Sequence, residues 1–343
     1  MNFLKTIVAA GLVAASTSAF AADITGAGST FIFPVLSKWA DAYKKESGAG
    51  VNYQSIGSGA GIKQIQAKTV TFGATDAPLK AEQLEKDGFA QWPMIMGAIV
   101  PVVNIDGIKA GDMVLDGDTL AKIYLGTITK WDDAAIKKLN PKLNLPSAAI
   151  SVVHRADGSG TTFNFTDYLS KVSAEWNTKV GKGSAVNWPT GVGGKGSEGV
   201  SGTVKQNPGT IGYVEMSYAI QNKIPFARVQ NRAGNFITPT IASVTAAANV
   251  QIPPDSKVSL TNTDAQDGYP ISGFSWVIIY KEQKYNDRSQ ERATKLLKLL
   301  SWMIHDGQQY SGALNYAPLS PAAVNVGDAI LKSATYDGKP ILQ

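Results

Sequence analysis

The sequence predicts an α/β protein built as two domains, on three observations. Short apolar runs alternate with amphipathic segments along the chain, the pattern of strands and helices taken in turn. The junctions where an apolar run gives way to an amphipathic one repeatedly carry Gly, Ser, Thr or Asp. And about 320 residues follow an export signal, more than one hydrophobic core usually serves.

The export signal spans residues 1–21. Lys5 is its positive charge, Ile7 to Ala15 its apolar core, and Ala19-Phe20-Ala21 its small-residue cleavage site, so that the mature chain is expected to begin at Ala22. That core is shorter than the roughly 20 residues of a membrane span. The best later candidate, Met94 to Ile105, carries Pro101 and Asn104. A soluble, exported protein is expected, and without a cysteine after the signal it has no site for a lipid anchor. The 343 residues contain no cysteine at all, which excludes thiol catalysis, zinc–thiolate sites and iron–sulfur clusters and leaves the core to supply stability. With Lys5 removed, 31 basic residues stand against 27 acidic ones. That balance of +4 is mild, and no dense Lys/Arg stripe accompanies it, so nucleic acid is not an expected partner.

In order, Ile24-Thr25-Gly26-Ala27-Gly28 reads as a strand and turn. Phe33 to Glu46 follows as a helix with Val35, Leu36, Trp39 and Tyr43 on one face and Pro34 tolerated in its first turn. Val51 to Ser55 reads as a strand, Gly57 to Gly61 as a turn, Ile62 to Ala67 as a helix, and Phe72-Gly73-Ala74 as a strand ending near Asp76. Met94 to Asn104 is a buried strand and a candidate crossing between domains. Residues 119–139 read as helical, with Trp131-Asp132-Asp133 opening a second turn of helix, and Asp116-Gly117-Asp118 as a turn. The Gly-rich stretch 181–202 contains Gly191-Val192-Gly193-Gly194-Lys195-Gly196 but does not meet the G-x-x-x-x-G-K-[ST] phosphate loop, and reads as a flexible surface loop. Thr210 to Val214 and Phe274 to Tyr280 read as strands, the second another candidate crossing. Glu291 to Gln309 reads as a helix with Leu296, Leu297, Leu300, Met303 and Ile304 facing the core.

The chemistry concentrates in His154-Arg155-Ala156-Asp157-Gly158-Ser159-Gly160-Thr161-Thr162-Phe163, where a strand becomes a helix. A helix start offers unpaired N–H groups and partial positive charge, and Arg155 adds a planar donor fork; together these suit a small tetrahedral oxyanion. An ordinary N-capped loop with Arg155 paired to Asp157 fits those residues equally well. Asp76 is similarly open: it is an N-cap for Ala77-Pro78-Leu79-Lys80, or an acceptor for the proton of a protonated oxyanion, or both. The second role selects phosphate over sulfate, because a fully ionised anion leaves a buried acceptor unpaired. The Gly/Ser-rich turns carry no information beyond conformation when taken singly, but three of them together with Arg155 suggest one crevice beyond the strand ends. Enzyme signatures are weak. His154 and His305 are the only histidines, His305 reading as a partner for a helix C-terminus. There is no G-x-S-x-G, no H-E-x-x-H and no carboxylate cluster, so neither catalysis nor a metal is expected.

Assembled, these segments resemble the periplasmic phosphate-binding proteins of high-affinity phosphate ABC transporters. The matching pieces are Thr25-Gly26-Ala27-Gly28-Ser29-Thr30-Phe31, Tyr53-Gln54-Ser55-Ile56-Gly57-Ser58-Gly59, Phe72-Gly73-Ala74-Thr75-Asp76-Ala77-Pro78, Leu125-Gly126 with Lys130-Trp131-Asp132-Asp133, Arg155 to Thr161, and Gly209 to Glu215. They run in order over essentially the whole mature chain. The resemblance implies a two-lobed, type II-like periplasmic binding protein, with lobe one at 22–104 plus 275–343, lobe two at 105–274, and two crossings between them. It implies phosphate bound by Thr30 and Phe31, by Ser58, by Asp76 as acceptor of the phosphate proton, by Arg155 held by Asp157, and by Ser159, Gly160 and Thr161 at the helix start. It further implies a periplasmic monomer that needs no cofactor and delivers phosphate to the permease subunits. The chain departs from the family at Ile32-Phe33-Pro34, where Pro more often follows Phe31 directly, and at His154, where a second Arg is frequent. A secreted phosphomonoesterase and a receptor for sulfate or molybdate are the competing readings, with a scaffold that lost its ligand a third.

Overall fold

The computed structural model describes residues 24–342, so the export signal and its cleavage site lie outside it. The chain opens with β1 (Ile24–Gly28), α1 (Phe33–Ser47), β2 (Val51–Ser55), α2 (Ser58–Gln66) and β3 (Phe72–Thr75). The apolar stripe of α1 is buried as expected, through Val35, Leu36, Trp39 and Tyr43. α3 (Ala81–Asp87) and the long β4 (Phe89–Asn104) follow, and β4 is buried at every residue but the last.

The middle of the chain holds β5 (Val114–Leu115), α4 (Gly117–Tyr124), α5 (Ala134–Leu139), β6 (Ser151–Arg155), α6 (Gly160–Val172), α7 (Ala174–Lys179), β7 (Val192–Gly194), α8 (Gly196–Gln206), β8 (Thr210–Glu215) and α9 (Met216–Gln221). β9 (Arg228–Gln230), β10 (Phe236–Ile237), α10 (Ile241–Ala247), β11 (Ser272–Tyr280), α11 (Gln290–Ile304) and α12 (Pro321–Lys332) complete the main elements.

Several expectations are corrected here. Residues 119–139 are two short helices rather than one run. Asp116 caps α4 by accepting from the Thr119 N–H, so the Asp-Gly-Asp motif is a helix start and not a free turn; Asp133 likewise caps α5. Trp131 lies in the turn between them, fully buried, and its indole N–H donates to the Gly209 carbonyl. Much of the Gly-rich stretch 181–202 is ordered structure, not a surface loop. β7 pairs with β6, and α8 buries Ser197, Val200, Ser201 and Val204 at helical spacing. The late helix ends at Ile304, and a 3₁₀ turn carries on from Asp306 to Tyr310.

Eight strands form one sheet in the order β2-β1-β3-β11-β4-β8-β6-β7. On one side β2, β1 and β3 are parallel; on the other β8, β6 and β7 are parallel. The antiparallel strands β11 and β4 join the two sets. β4 serves both, pairing with β11 over Phe89–Ala98 and with β8 over Ile99–Asn104. The fold is therefore two α/β lobes carried on a shared, curled sheet. In each lobe the chain reverses its direction of strand addition about a central strand, β1 or β6. Ligands of open α/β sheets bind beyond the carboxyl end of such a strand, and here the two ends meet.

Candidate functional site

The segment after β1 and the segment after β6 face each other across the crevice. Thr30, Phe31, Ser58, Asp76, Arg155, Ser159 and Thr161 are each at most 4% exposed, so each is shielded from water. Direct contacts tie the two sides. The Ser58 hydroxyl accepts from the Gly160 N–H at 3.1 Å and from the Asp76 N–H at 3.4 Å, and the Gly59 N–H donates to the Gly158 carbonyl at 2.9 Å. Asn164 on α6 donates to the Asp76 carbonyl at 2.8 Å. A Cβ at position 160 would collide with the Asp76 backbone, so only glycine allows the start of α6 to approach this closely.

Asp76 is the centre of the arrangement. It does not cap a helix, correcting one of the two expectations: α3 starts at Ala81, with Lys80 at its cap position. Its side chain turns inward, where the Ser29 hydroxyl donates to both carboxylate oxygens, at 2.6 and 2.7 Å. Ser29 in turn accepts from the Phe31 N–H at 3.0 Å. Burial pushes the Asp76 carboxyl up to about 6, against the opposing pull of the Ser29 and Ser275 hydroxyls, Arg155 and Thr161. Among the described residues the buried hydroxyls of Thr161 and Ser275 have no other hydrogen-bond partner than this carboxylate, so they add to the donors around it.

Arg155 ends β6, and its guanidinium grips Asp157 through both carboxylate oxygens, Nε to Oδ1 at 2.8 Å and Nη2 to Oδ2 at 2.6 Å. The pairing and the oxyanion role are thus compatible, since a guanidinium has five N–H donors and this fork uses two. Burial raises the Asp157 pKa, but the Arg155 guanidinium and the Gly196 N–H outweigh it and hold the carboxyl below its usual range. Ser159 caps α6, its hydroxyl oxygen accepting from the Thr162 N–H while its hydrogen stays available. His154 stacks on Trp188 with ring centroids 4.8 Å apart, and burial lowers its pKa.

The chain matches a family model described as a PBP superfamily domain over residues 14–306. It is 47% identical over 304 residues to the phosphate-binding protein PstS of Xylella fastidiosa (strain Temecula1), covering 88% of this chain and 82% of that protein. It is 46% identical over 330 residues to the PstS of Pasteurella multocida, covering 94% of each. The chain belongs to the PstS family of the PBP superfamily. A solved phosphate-binding protein from Stenotrophomonas maltophilia shares its fold, with a TM-score of 0.65 at 18% identity over 90% of this chain and 92% of that one.

Within this PstS-family site, sequence reasoning overlooked four side chains. Ser29 stood inside a quoted motif but was passed over for its neighbour Thr30. Ser275 gives no local signal, because it reaches the site from a crossing strand. Ser197 was hidden in the Gly-rich stretch. Its N–H donates to the Thr30 hydroxyl oxygen at 3.2 Å, and the two hydroxyls are 2.8 Å apart. Glu215, fully buried where β4 passes from β11 to β8, caps α9 through the Ser217 N–H, and burial raises its pKa well above the carboxylate range. The motif ending at Glu215 was quoted, but burial of a carboxylate cannot be read from spacing.

Proposed function

We propose that this protein captures inorganic phosphate between its two lobes and delivers it to an ABC importer in the inner membrane. The observation that carries the reading is a buried carboxylate, Asp76, set among donors: Arg155, the start of α6, and the hydroxyls of Ser29, Thr161 and Ser275. An acceptor among donors fits an anion that still carries a proton, which phosphate does at neutral pH and sulfate does not. Thr30, Phe31, Ser58, Asp76, Arg155, Ser159, Gly160 and Thr161 are the proposed ligands, with Asp157 holding Arg155.

The lobes would be 22–104 with 275–343, and 105–274. The handover of β4 from β11 to β8 between Ala98 and Ile99 supports a boundary near there. Phosphate bridging both lobes would favour the closed state and give the permease a shape to read. An exported monomer in the periplasm, acting stoichiometrically and without turnover, fits a chain whose relatives are named for binding rather than for catalysis. No helix among the described residues is long and apolar enough to cross a membrane.

Isothermal titration of phosphate-stripped mature protein tests the proposal. One-to-one saturation by phosphate, no heat with sulfate and no release of nitrophenol from a nitrophenyl phosphate support it. Binding of sulfate alone, or turnover of the ester, overturns it.

A further inference from the structure

The N-terminus of α8 reaches from one lobe onto Thr30 of the other. The Ser197 N–H donates to Thr30 Oγ1 at 3.2 Å, and the two hydroxyl oxygens are 2.8 Å apart. Both residues are 1% exposed, so no water competes for these groups. The Thr30 carbonyl is held separately by the Tyr218 hydroxyl at 2.7 Å, which fixes the backbone from which the side chain projects. Among the described residues the Ser197 hydroxyl has no other hydrogen-bond partner than Thr30.

Counting hydrogens gives this pair a direction. A hydroxyl has one hydrogen and two acceptor positions. The Ser197 N–H fills one acceptor position of Thr30. If the Ser197 O–H fills the second, Thr30 can accept nothing more and its one hydrogen must point elsewhere. The Ser197 hydrogen is free to do this, because it has no competing acceptor. We infer that Ser197 is a positioning residue, which saturates the Thr30 hydroxyl from the opposite lobe and turns it into an obligate donor to the bound anion. The inference rests on the reading of Thr30 as a phosphate ligand. It adds a specificity device: Thr30 can give a hydrogen bond to an anion but cannot accept one from a neutral ligand. It also makes the Thr30 hydroxyl fully competent only when the lobes are closed, since the two residues come from different lobes.

The test is a double-mutant cycle read by phosphate titration of the stripped protein, using wild type, Ser197→Ala, Thr30→Val and the double variant. Saturable binding by wild type is the control for the phosphate reading itself; if wild type does not bind, that reading fails before Ser197 is examined. With wild-type binding in hand, Ser197→Ala is expected to weaken phosphate roughly three- to tenfold, the range for one neutral hydrogen bond, mainly through faster release. In the Thr30→Val background the same change is expected to cost nothing further. Should Ser197→Ala melt early, Ser197→Cys carries the same test, because a thiol fills similar space but donates weakly. Wild-type affinity in the Ser197 variants, or an undiminished loss in the Thr30→Val background, overturns the inference.

Discussion

The Ser29 hydroxyl donates to both carboxylate oxygens of Asp76, at 2.6 and 2.7 Å, across 47 residues of sequence. Burial outweighs that hydrogen bond and the pull of Ser275, Arg155 and Thr161, and raises the carboxyl pKa to about 6. A proton, from solvent or from a bound anion, relieves the cost of that buried charge.

Stability should show this. The folded-state pKa of Asp76 lies above its ordinary value of 3.8, so its favourable contribution is present below about pH 4 and is lost as the pH rises to about 6. Asp76→Asn mimics the neutral form at every pH. Ligand-free Asp76→Asn is expected to match wild type near pH 4 and to be more stable above pH 6, by on the order of 3 kcal/mol. Urea unfolding of both proteins across that range checks it; a variant less stable than wild type at pH 7 contradicts the strained-carboxylate account.

Closure has its own test at Gly160. Alanine is a better helix former than glycine, so Gly160→Ala does not harm α6 by itself. Its methyl group would instead meet the Asp76 backbone when the lobes come together. Phosphate affinity is expected to fall roughly ten- to hundredfold, the usual effect of forcing a methyl into a packed contact. Wild-type affinity in this variant would mean that phosphate binds without the approach of α6 to Asp76.

Asp167 is the contrasting carboxylate. Its oxygens meet Lys182 at 2.6 Å, Lys171 at 3.0 Å and the hydroxyls of Ser259 and Thr261, tying α6 to the strap before β11. Burial raises its pKa, but these partners outweigh burial and hold it down to about 2. Here the sign reverses: stability is present above the ordinary pKa and is lost as the pH falls toward 2. Asp167→Asn is expected to lower stability by about 1–2 kcal/mol at pH 7, discounted for the exposed lysines, with the gap closing in acid. Denaturation at pH 7 and pH 3 measures it, and a gap that widens in acid would contradict the assignment.

Much of this was legible because local patterns carried it. The α1 stripe of Val35, Leu36, Trp39 and Tyr43 and the start of α6 at Gly160 follow from spacing and composition. What escaped depended on tertiary contact. Gly196 to Ser201 looks like linker from its glycines, yet Val200 and Val204 supply a buried face once β8 is beside them. Trp131 sits in a turn because its indole must reach the Gly209 carbonyl. Asp76 has the sequence context of a cap before proline, and only the Ser29 hydroxyl, 47 residues away, decides where its side chain points. The resemblance named Asp76 as a ligand; the geometry supplied the cost of placing it there.

Competition between phosphate and sulfate in wild type and Asp76→Asn at pH 7.5 measures whether Asp76 accepts a proton from the anion. Wild type is expected to ignore sulfate, whereas the variant is expected to lose phosphate affinity and gain sulfate, because the amide offers a donor where the carboxylate offered an acceptor. In wild type, sulfate should begin to compete only as the pH falls toward 6, where Asp76 itself takes up a proton. An Asp76→Asn protein that still binds phosphate tightly and rejects sulfate would mean that Asp76 does not accept the proton of the anion.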